Sequence, residues 1–486
     1  MKKVWISVAI IMFLGVMGYG IFLNVSKADI MDFVIKDSDV VGISKSNDKD
    51  ILELNERIKD YMKTKMPKEY EKAKGSMELE KYIKQTLVVH EFQKIEDIKS
   101  AKDIQLAIIL DSGELYSVAL TQLDKFFDKD GNSYILKDEY IESLFQQNNV
   151  TEIYKKELKN IKIYMRPYKG YFVLTLSKDY LDKYINLVKK GETNKRMLDK
   201  IKTEGNKYVY YIVDANKIYN SYKKYIPENN YITDLDFATI YSKYIKAKDS
   251  IVFSMKLNGK GDIFKLLSTN KLNNRNLETS ISDNELYLAN NSFSNLIKYI
   301  LNDIKKYKGT DYLSVLDLFT GGKGENLLDS VGNEMILKAD TEKNISAVLD
   351  LNSKDGLERV FKNLGLLPQN GKYIISNKMN VKFDKAGKLI LNDYKIKNNS
   401  IKLENNTFLY SNIDLSKLMP QFKMKNSSYK IAGISDGNSI ELKFSFNVKA
   451  FFDILDLAST LENNNKSNMI DSKKINKEEA NASEKK

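Results

Sequence analysis

The stretch Gly170-Tyr-Phe-Val-Leu-Thr-Leu-Ser-Lys-Asp-Tyr-Leu-Asp-Lys-Tyr-Ile-Asn-Leu-Val188 decides how this chain is read. Tyr171 to Leu176 is rich in aromatic and branched residues, the composition of a strand. Ser177 follows as an N-cap, and Leu181, Tyr184, Ile185 and Val188 then recur at helical spacing. The pattern predicts a strand that runs directly into a helix whose one apolar face packs on a sheet.

Downstream, Ile345-Ser-Ala-Val-Leu-Asp-Leu351 precedes Ser353-Lys-Asp-Gly-Leu-Glu-Arg-Val-Phe-Lys-Asn-Leu364, where Val360, Phe361 and Leu364 repeat the apolar face. A second echo pairs Val213-Asp-Ala-Asn-Lys-Ile218 with Ile413-Asp-Leu-Ser-Lys-Leu418. Two echoes in the same order predict an internal duplication. Between the helices lie hairpin signals. Ile251 to Leu257 ends at Asn258-Gly259, and Asp436-Gly437 precedes the alternating strand Ile440, Leu442, Phe444, Phe446, Val448. Such turns favour antiparallel sheet. The expected fold is therefore α+β: an N-terminal transmembrane helix, then two related units of antiparallel sheet with packed helices, over 29–275 and 276–460. Beyond 460 the composition turns to Asn, Lys, Ser and Glu, so 461–486 is expected to be a disordered polar tail.

The membrane expectation rests on the first 28 residues. Lys2 and Lys3 precede an uncharged run from Val4 to Val25, 22 residues long. At about 1.5 Å per residue such a run crosses a hydrocarbon core of about 30 Å. Lys2 and Lys3 on one flank place the N-terminus in the cytoplasm and the body outside it, in a single-pass protein of the cell membrane. Ser26-Lys27-Ala28 offers a cleavage site, which would turn the same run into a removed signal peptide.

Composition narrows the function classes. The net charge is +12, yet only Arg57, Arg166, Arg196, Arg275 and Arg359 carry guanidinium groups; the other basic residues are Lys, interspersed with Asp and Glu. Nucleic-acid recognition leans on the forked guanidinium and on a basic stripe, so no nucleic-acid partner is expected. With no Cys in the sequence, disulfides, thiolate nucleophiles and zinc–thiolate sites are excluded.

This arrangement resembles a bacterial family of unknown function whose members have one N-terminal anchor, a long exported body and a duplicated α+β unit. The resemblance is carried by Gly170-Tyr-Phe-Val-Leu-Thr-Leu-Ser177, Val213-Asp214 and Asn333-Glu-Met-Ile-Leu337. It implies fold and location, and brings no catalytic residue.

Other fragments resemble chemistry less well. Gly433-Ile-Ser-Asp-Gly437 matches the G-x-S-x-G of a nucleophile elbow, but a strand follows where a helix is required, which favours a hairpin turn. His90 is the only histidine, so a multi-histidine metal site is excluded, and a structural role in its strand is expected. Thr320-Gly-Gly-Lys-Gly324 lacks the Ser or Thr that follows Lys in a phosphate loop, and reads as a helix stop.

Asp128-Lys-Asp-Gly-Asn-Ser-Tyr-Ile-Leu-Lys-Asp-Glu139 is similar to the twelve-residue calcium loop of an EF-hand such as those of calmodulin. The resemblance makes Asp128, Asp130, Asn132 and Glu139 side-chain ligands and gives Tyr134 a carbonyl ligand, with calcium as the candidate metal. Ser133 stands where the loop has Gly. The alternative is a hairpin that turns at Asp130-Gly131. The function expected from these readings is a non-enzymatic binding or scaffold protein of the cell envelope, contacting the membrane through residues 4–25 and an envelope protein or lipid through its body. The alternatives are an exported hydrolase using a carboxylate pair and a lipid-binding envelope protein.

Overall fold

The computed structural model describes residues 29–453 and position 456, apart from internal stretches of which the longest are 72–82, 142–160, 223–234 and 419–427. The chain packs as two compact units. The described residues within 1–222, 241–251 and 447–486 form one, and those within 223–240 and 252–446 form the other.

The first unit is built on β1 (Val40–Lys45), β2 (Gln85–Glu91), β3 (Gln105–Asp111), β4 (Phe127–Asp130), β5 (Ser133–Leu136), β6 (Tyr164–Tyr168), β7 (Tyr171–Thr175) and β8 (Val209–Asp214). Its principal helices are α1 (Lys49–Lys65), α2 (Lys178–Lys190), α3 (Lys195–Glu204) and α4 (Ala215–Tyr222). Antiparallel pairing gives the order β8-β1-β2-β3-β7-β6-β5-β4. The run from Tyr171 behaves as its sequence predicts. The Ser177 hydroxyl accepts the Tyr180 N–H, and Leu181, Tyr184, Ile185 and Val188 of α2 are all buried. Gly191 ends the helix at φ +66°, a left-handed conformation that glycine adopts without the steric cost a Cβ would bring. On the sheet face that carries Val88 and Ile108, a core forms with Leu123, Phe126, Phe127 and Met165.

The remaining strands are β9 (Leu235–Ile245), β10 (Ser250–Gly259), β11 (Glu285–Ala289), β12 (Val331–Ala339), β13 (Ile345–Leu351), β14 (Tyr373–Ser376), β15 (Met379–Phe383), β16 (Leu389–Leu391), β17 (Thr407–Asp414), β18 (Ser428–Ser435) and β19 (Ser439–Asn447). In the second unit the order β17-β11-β12-β13-β16-β15-β14 matches, position for position, the first seven strands of the first unit's order. Here β17 also continues to β18, β19 and β10. Of the two sequence echoes, Val213 and Ile413 fall on strands in the same place, β8 and β17. Tyr171 and Ile345 do not, because β7 answers to β16 in this order and not to β13. The helix after β13, α5 (Lys354–Asn363), is capped by Ser353 and buries Val360 and Phe361, but Leu364 lies past its end and is exposed.

These observations correct the expected fold class. Among the described residues the nineteen strands belong to one antiparallel sheet, in place of a transmembrane helix followed by two units with a sheet each. Pairing extends because an unpaired strand edge leaves backbone N–H and C=O groups without partners; β10, for example, pairs with both β9 and β19. Among the described residues no helix is long and apolar enough to cross a membrane, so the described fold contains no transmembrane helix and the transmembrane and signal-anchor reading is corrected to that extent. The run 4–25 on which that reading stood, and the tail 461–486, lie outside the described residues. One turn is also corrected. Asn258-Gly259 closes β10 ahead of a helix at Asp262–Leu266, whereas the β9–β10 turn is made at Lys246–Lys248 with Asp249 at φ +44°.

One close approach tests the packing of the first unit. Gly42 on β1 lies opposite Tyr211 on β8, and a Cβ at position 42 would collide with the Tyr211 ring. Gly42→Ala is expected to cost about 1–3 kcal/mol in urea unfolding, from overpacking. Adding Tyr211→Ala should recover part of that loss; an unchanged midpoint in the single variant would contradict the packing.

Candidate functional site

The segment that resembles a calcium loop folds as a hairpin. Phe127 pairs with Leu136 and Asp130 with Ser133 across β4 and β5. The positive φ, +61°, falls on Gly131, whereas an EF-hand loop needs it at Ser133. Asp128, Asn132 and Glu139 are exposed, and the Asp130 carboxylate holds Lys178 at 2.7 Å. Ser133 is buried and accepts hydrogen bonds from Arg166. Tyr134 sits mid-strand, where its backbone pairs with Met165. Among the described residues no three His, Asp or Glu side chains gather as a metal site. For these five residues to converge on calcium, the hairpin would have to reorganise.

The other motifs resolve locally. Ser435 ends β18 and its hydroxyl donates to the Phe264 carbonyl, while Asp436 accepts the Asn438 and Ser439 N–H groups in the turn to β19. Thr320 caps the end of the helix Tyr312–Phe319.

A corner contact that sequence reading missed recurs in both units. Asp39 immediately precedes β1, and its carboxylate meets Lys217, the third residue of α4, at 2.5 Å. Its other oxygen accepts the Phe92 N–H at 2.6 Å. In the second unit Asp283 lies just ahead of β11 and meets Lys417 at 2.8 Å; Lys417 is the third residue of α6 (Leu415–Leu418), the helix after β17. Environment separates the two contacts. Asp39 is 3% exposed, and burial pushes its carboxyl up although Lys217 and the Phe92 amide pull it down. Asp283 is more open, and the Lys417 hydrogen bond holds it below the usual carboxylate range. The signal was present in the second echo, which contains both lysines, but their partners lie far away in sequence.

Beside Asp39 is His90, 1% exposed, with neither ring nitrogen hydrogen-bonded. The Asp39 N–H donates to the His90 carbonyl, so the two residues are fixed by backbone pairing. His90 makes an edge contact with the Phe92 ring at 4.7 Å.

The buried carboxylates bear on acid–base chemistry. Glu91 accepts the Tyr180 hydroxyl at 2.8 Å and meets Lys183 at 3.1 Å. Glu334 accepts the Tyr287 hydroxyl at 2.7 Å, and its second oxygen takes the Asn276 and Leu277 N–H groups. Glu285 accepts the Tyr394 hydroxyl at 2.9 Å and the Ser282 N–H at 2.8 Å. Burial raises the Glu334 carboxyl and, with the neighbouring carboxylates, drives the Tyr287 and Tyr394 hydroxyls well above their ordinary value. Glu334 lies opposite Ala289, four positions along β11 from Glu285. At about 3.3 Å per residue the two backbones are roughly 13 Å apart. Glycoside hydrolysis needs two carboxyls that are free to meet the sugar and a water. These glutamates are instead joined to tyrosines.

The second unit also presents an apolar sheet face. Phe253 and Met255 of β10, with Leu442 and Phe444 of β19, stand 38–47% exposed. Phe253 stacks on Phe446 and Phe444 packs against the same ring, which puts these side chains on one face. The alternation in β19 was legible, but it reads equally as a strand turned toward a core.

Burial pushes the His90 imidazole down to about 4, so the folded chain binds fewer protons than the unfolded chain. Stability from neutral His90 is complete above about pH 6.5 and declines as pH falls toward 4. His90→Leu is expected to remove on the order of 3 kcal/mol of that decline, measured by urea unfolding between pH 7 and 4. Parallel pH profiles for both proteins would show that the imidazole is not held neutral.

No family model matches the chain, and no curated protein matches it. Among solved structures, crystal form IV of TP0453 is 10% identical over 48% of this chain and 81% of its own, with a TM-score of 0.26. Crystal form I is 8% identical over 57% of this chain and 88% of its own, also at 0.26. A likeness at that score carries no argument about fold or function.

Proposed function

We propose that this chain is a non-enzymatic binding protein of the cell envelope, and that it docks an envelope protein on the apolar sheet face of its second unit. The observation that carries the reading is the row of Phe253, Met255, Leu442 and Phe444 left open to solvent on paired strands. Contiguous exposed apolar side chains with aromatic members are typical of protein contact surfaces. The alternate residues, on the opposite face of the same strands, are polar: Lys443 pairs with Glu404, and Ser254 donates to Glu441. Export rests on the apolar run 4–25 behind Lys2 and Lys3, residues outside the described ones. The hydrolase alternative is not favoured, since the buried glutamates are engaged by tyrosine hydroxyls, Lys183 and backbone amides. Lipid uptake into the apolar cavity described in the first unit is not favoured either. The apolar cavity beside Phe126, Met165 and Phe172 has a volume of about 60 Å³, against roughly 300 Å³ or more for small-molecule sites.

Phe253→Lys combined with Phe444→Lys provides the test. Both side chains are already half open, so the circular dichroism spectrum should stay unchanged. Affinity capture from detergent-solubilised envelopes should enrich a protein with the unaltered chain and lose it with the variant. Identical captured sets would overturn the docking face; binding to protein-free vesicles that the variant loses would reassign the face to lipid.

A further inference from the structure

The geometry points to a second, polar site in the second unit: a cavity that takes a phosphate-bearing ligand. It has a volume of about 340 Å³ and is walled by Lys338, Ser346, Lys395 and Lys397, with Glu285 and Tyr394 also in its lining. The volume falls in the range of small-molecule sites, roughly 300–1,000 Å³.

The sheet register assembles the wall. Lys338 of β12 lies directly opposite Glu285 on β11 and opposite Ser346 on β13, so the three form one cross-strand row. Asn392, just past β16, extends the row and is held by its side-chain N–H bond to the Ile345 carbonyl at 2.7 Å. Lys395 and Lys397 follow in the same segment as Tyr394, whose hydroxyl is fixed on Glu285. The lysines are thus hung from hydrogen-bonded strands and from a pinned tyrosine.

Charge selects the ligand class. The lining contains two carboxylates, and both have donors of their own. Glu285 accepts from Tyr394 and from the Ser282 N–H. Asp393 is clasped by Lys372 and Lys382, each at 2.6 Å. Lys338, Lys395 and Lys397 form no ion pair among the described residues, so three ammonium groups line a recess in which Glu285 is the one carboxylate not already paired with lysine, and positive charge is in excess. Such a recess attracts a polyanion, and lysines suit phosphate as point charges, with the Ser346 hydroxyl as a further donor. A free phosphate compound and a lipid phosphate headgroup share this chemistry.

The test titrates the full chain with pyrophosphate by calorimetry, and separately with vesicles of phosphatidylcholine containing phosphatidic acid. Saturable pyrophosphate binding is expected, weakening as salt rises. Lys395→Gln with Lys397→Gln, which changes only exposed side chains, should weaken it by about tenfold or more, and Lys338→Gln likewise. Lys102→Gln, an exposed change in the first unit, should leave it unchanged. Binding to the vesicles alone, lost in the same variants, would assign the site to a lipid headgroup. Absence of binding to either probe, or equal weakening by Lys102→Gln, would overturn the proposal.

Discussion

A lysine at the third position of a short helix, reaching back to an aspartate at the head of a central strand, sets the frame on which the first unit is built. Lys217 and Asp39 are separated by most of that unit's chain, yet they meet where β1 is flanked by β2 on one side and β8 on the other. The backbone repeats the closure: the Asp214 N–H donates to the Asp39 carbonyl, and the Asp39 N–H donates to the His90 carbonyl. A buried carboxylate without its cation is strongly unfavourable, so this contact constrains the alignment of three strands rather than merely decorating a surface. In the second unit Lys417 and Asp283 make the same connection in an open setting, where solvent screening leaves the pair much less to contribute.

The same logic governs the other buried charges. Each buried glutamate described above is matched to a tyrosine hydroxyl, and the match is made between elements distant in sequence: β2 with α2, β11 with β12, β11 with the segment after β16. These groups tie strands and helices together and keep polar atoms satisfied in the interior. What is left over for recognition lies at the periphery of that framework. In the second unit it consists of the aromatic row on β10 and β19 and the lysine recess beside Tyr394. One surface is apolar and the other cationic, which suits a binding protein with two different kinds of contact.

Much of the local structure was legible because it depends on neighbours. Ser177 and Ser353 announced their helices, Gly131 and Gly437 their turns, and the burial of Leu181, Tyr184, Ile185 and Val188 followed from spacing alone. The errors arose where sequence-distant pairing decides. Asn258-Gly259 has hairpin composition but ends a strand, because β10 finds its partners in β9 and β19. The expected equivalence of the Tyr171 and Ile345 strands failed because strand–helix texture does not specify which neighbour a strand pairs with. At 128–139 both readings the sequence offered were local, and the described fold has the hairpin that turns at Gly131, with Phe127 paired to Leu136. The lysine recess was hidden altogether, since Lys338, Ser346 and Asn392 come together only through the register of three strands, β12, β13 and β16.

The closure at β1 is most directly tested by native-state hydrogen exchange in Lys217→Met and Lys417→Met. Lys217→Met leaves the Asp39 carboxylate buried without its cation, so the account predicts a marked loss of protection at Val41, Ile43 and Val89. Lys417→Met should leave Tyr287 and Ile336 nearly as protected as before. Unchanged protection of β1 in Lys217→Met, or equal losses in the two units, would contradict the claim that the buried corner holds the first unit's sheet together.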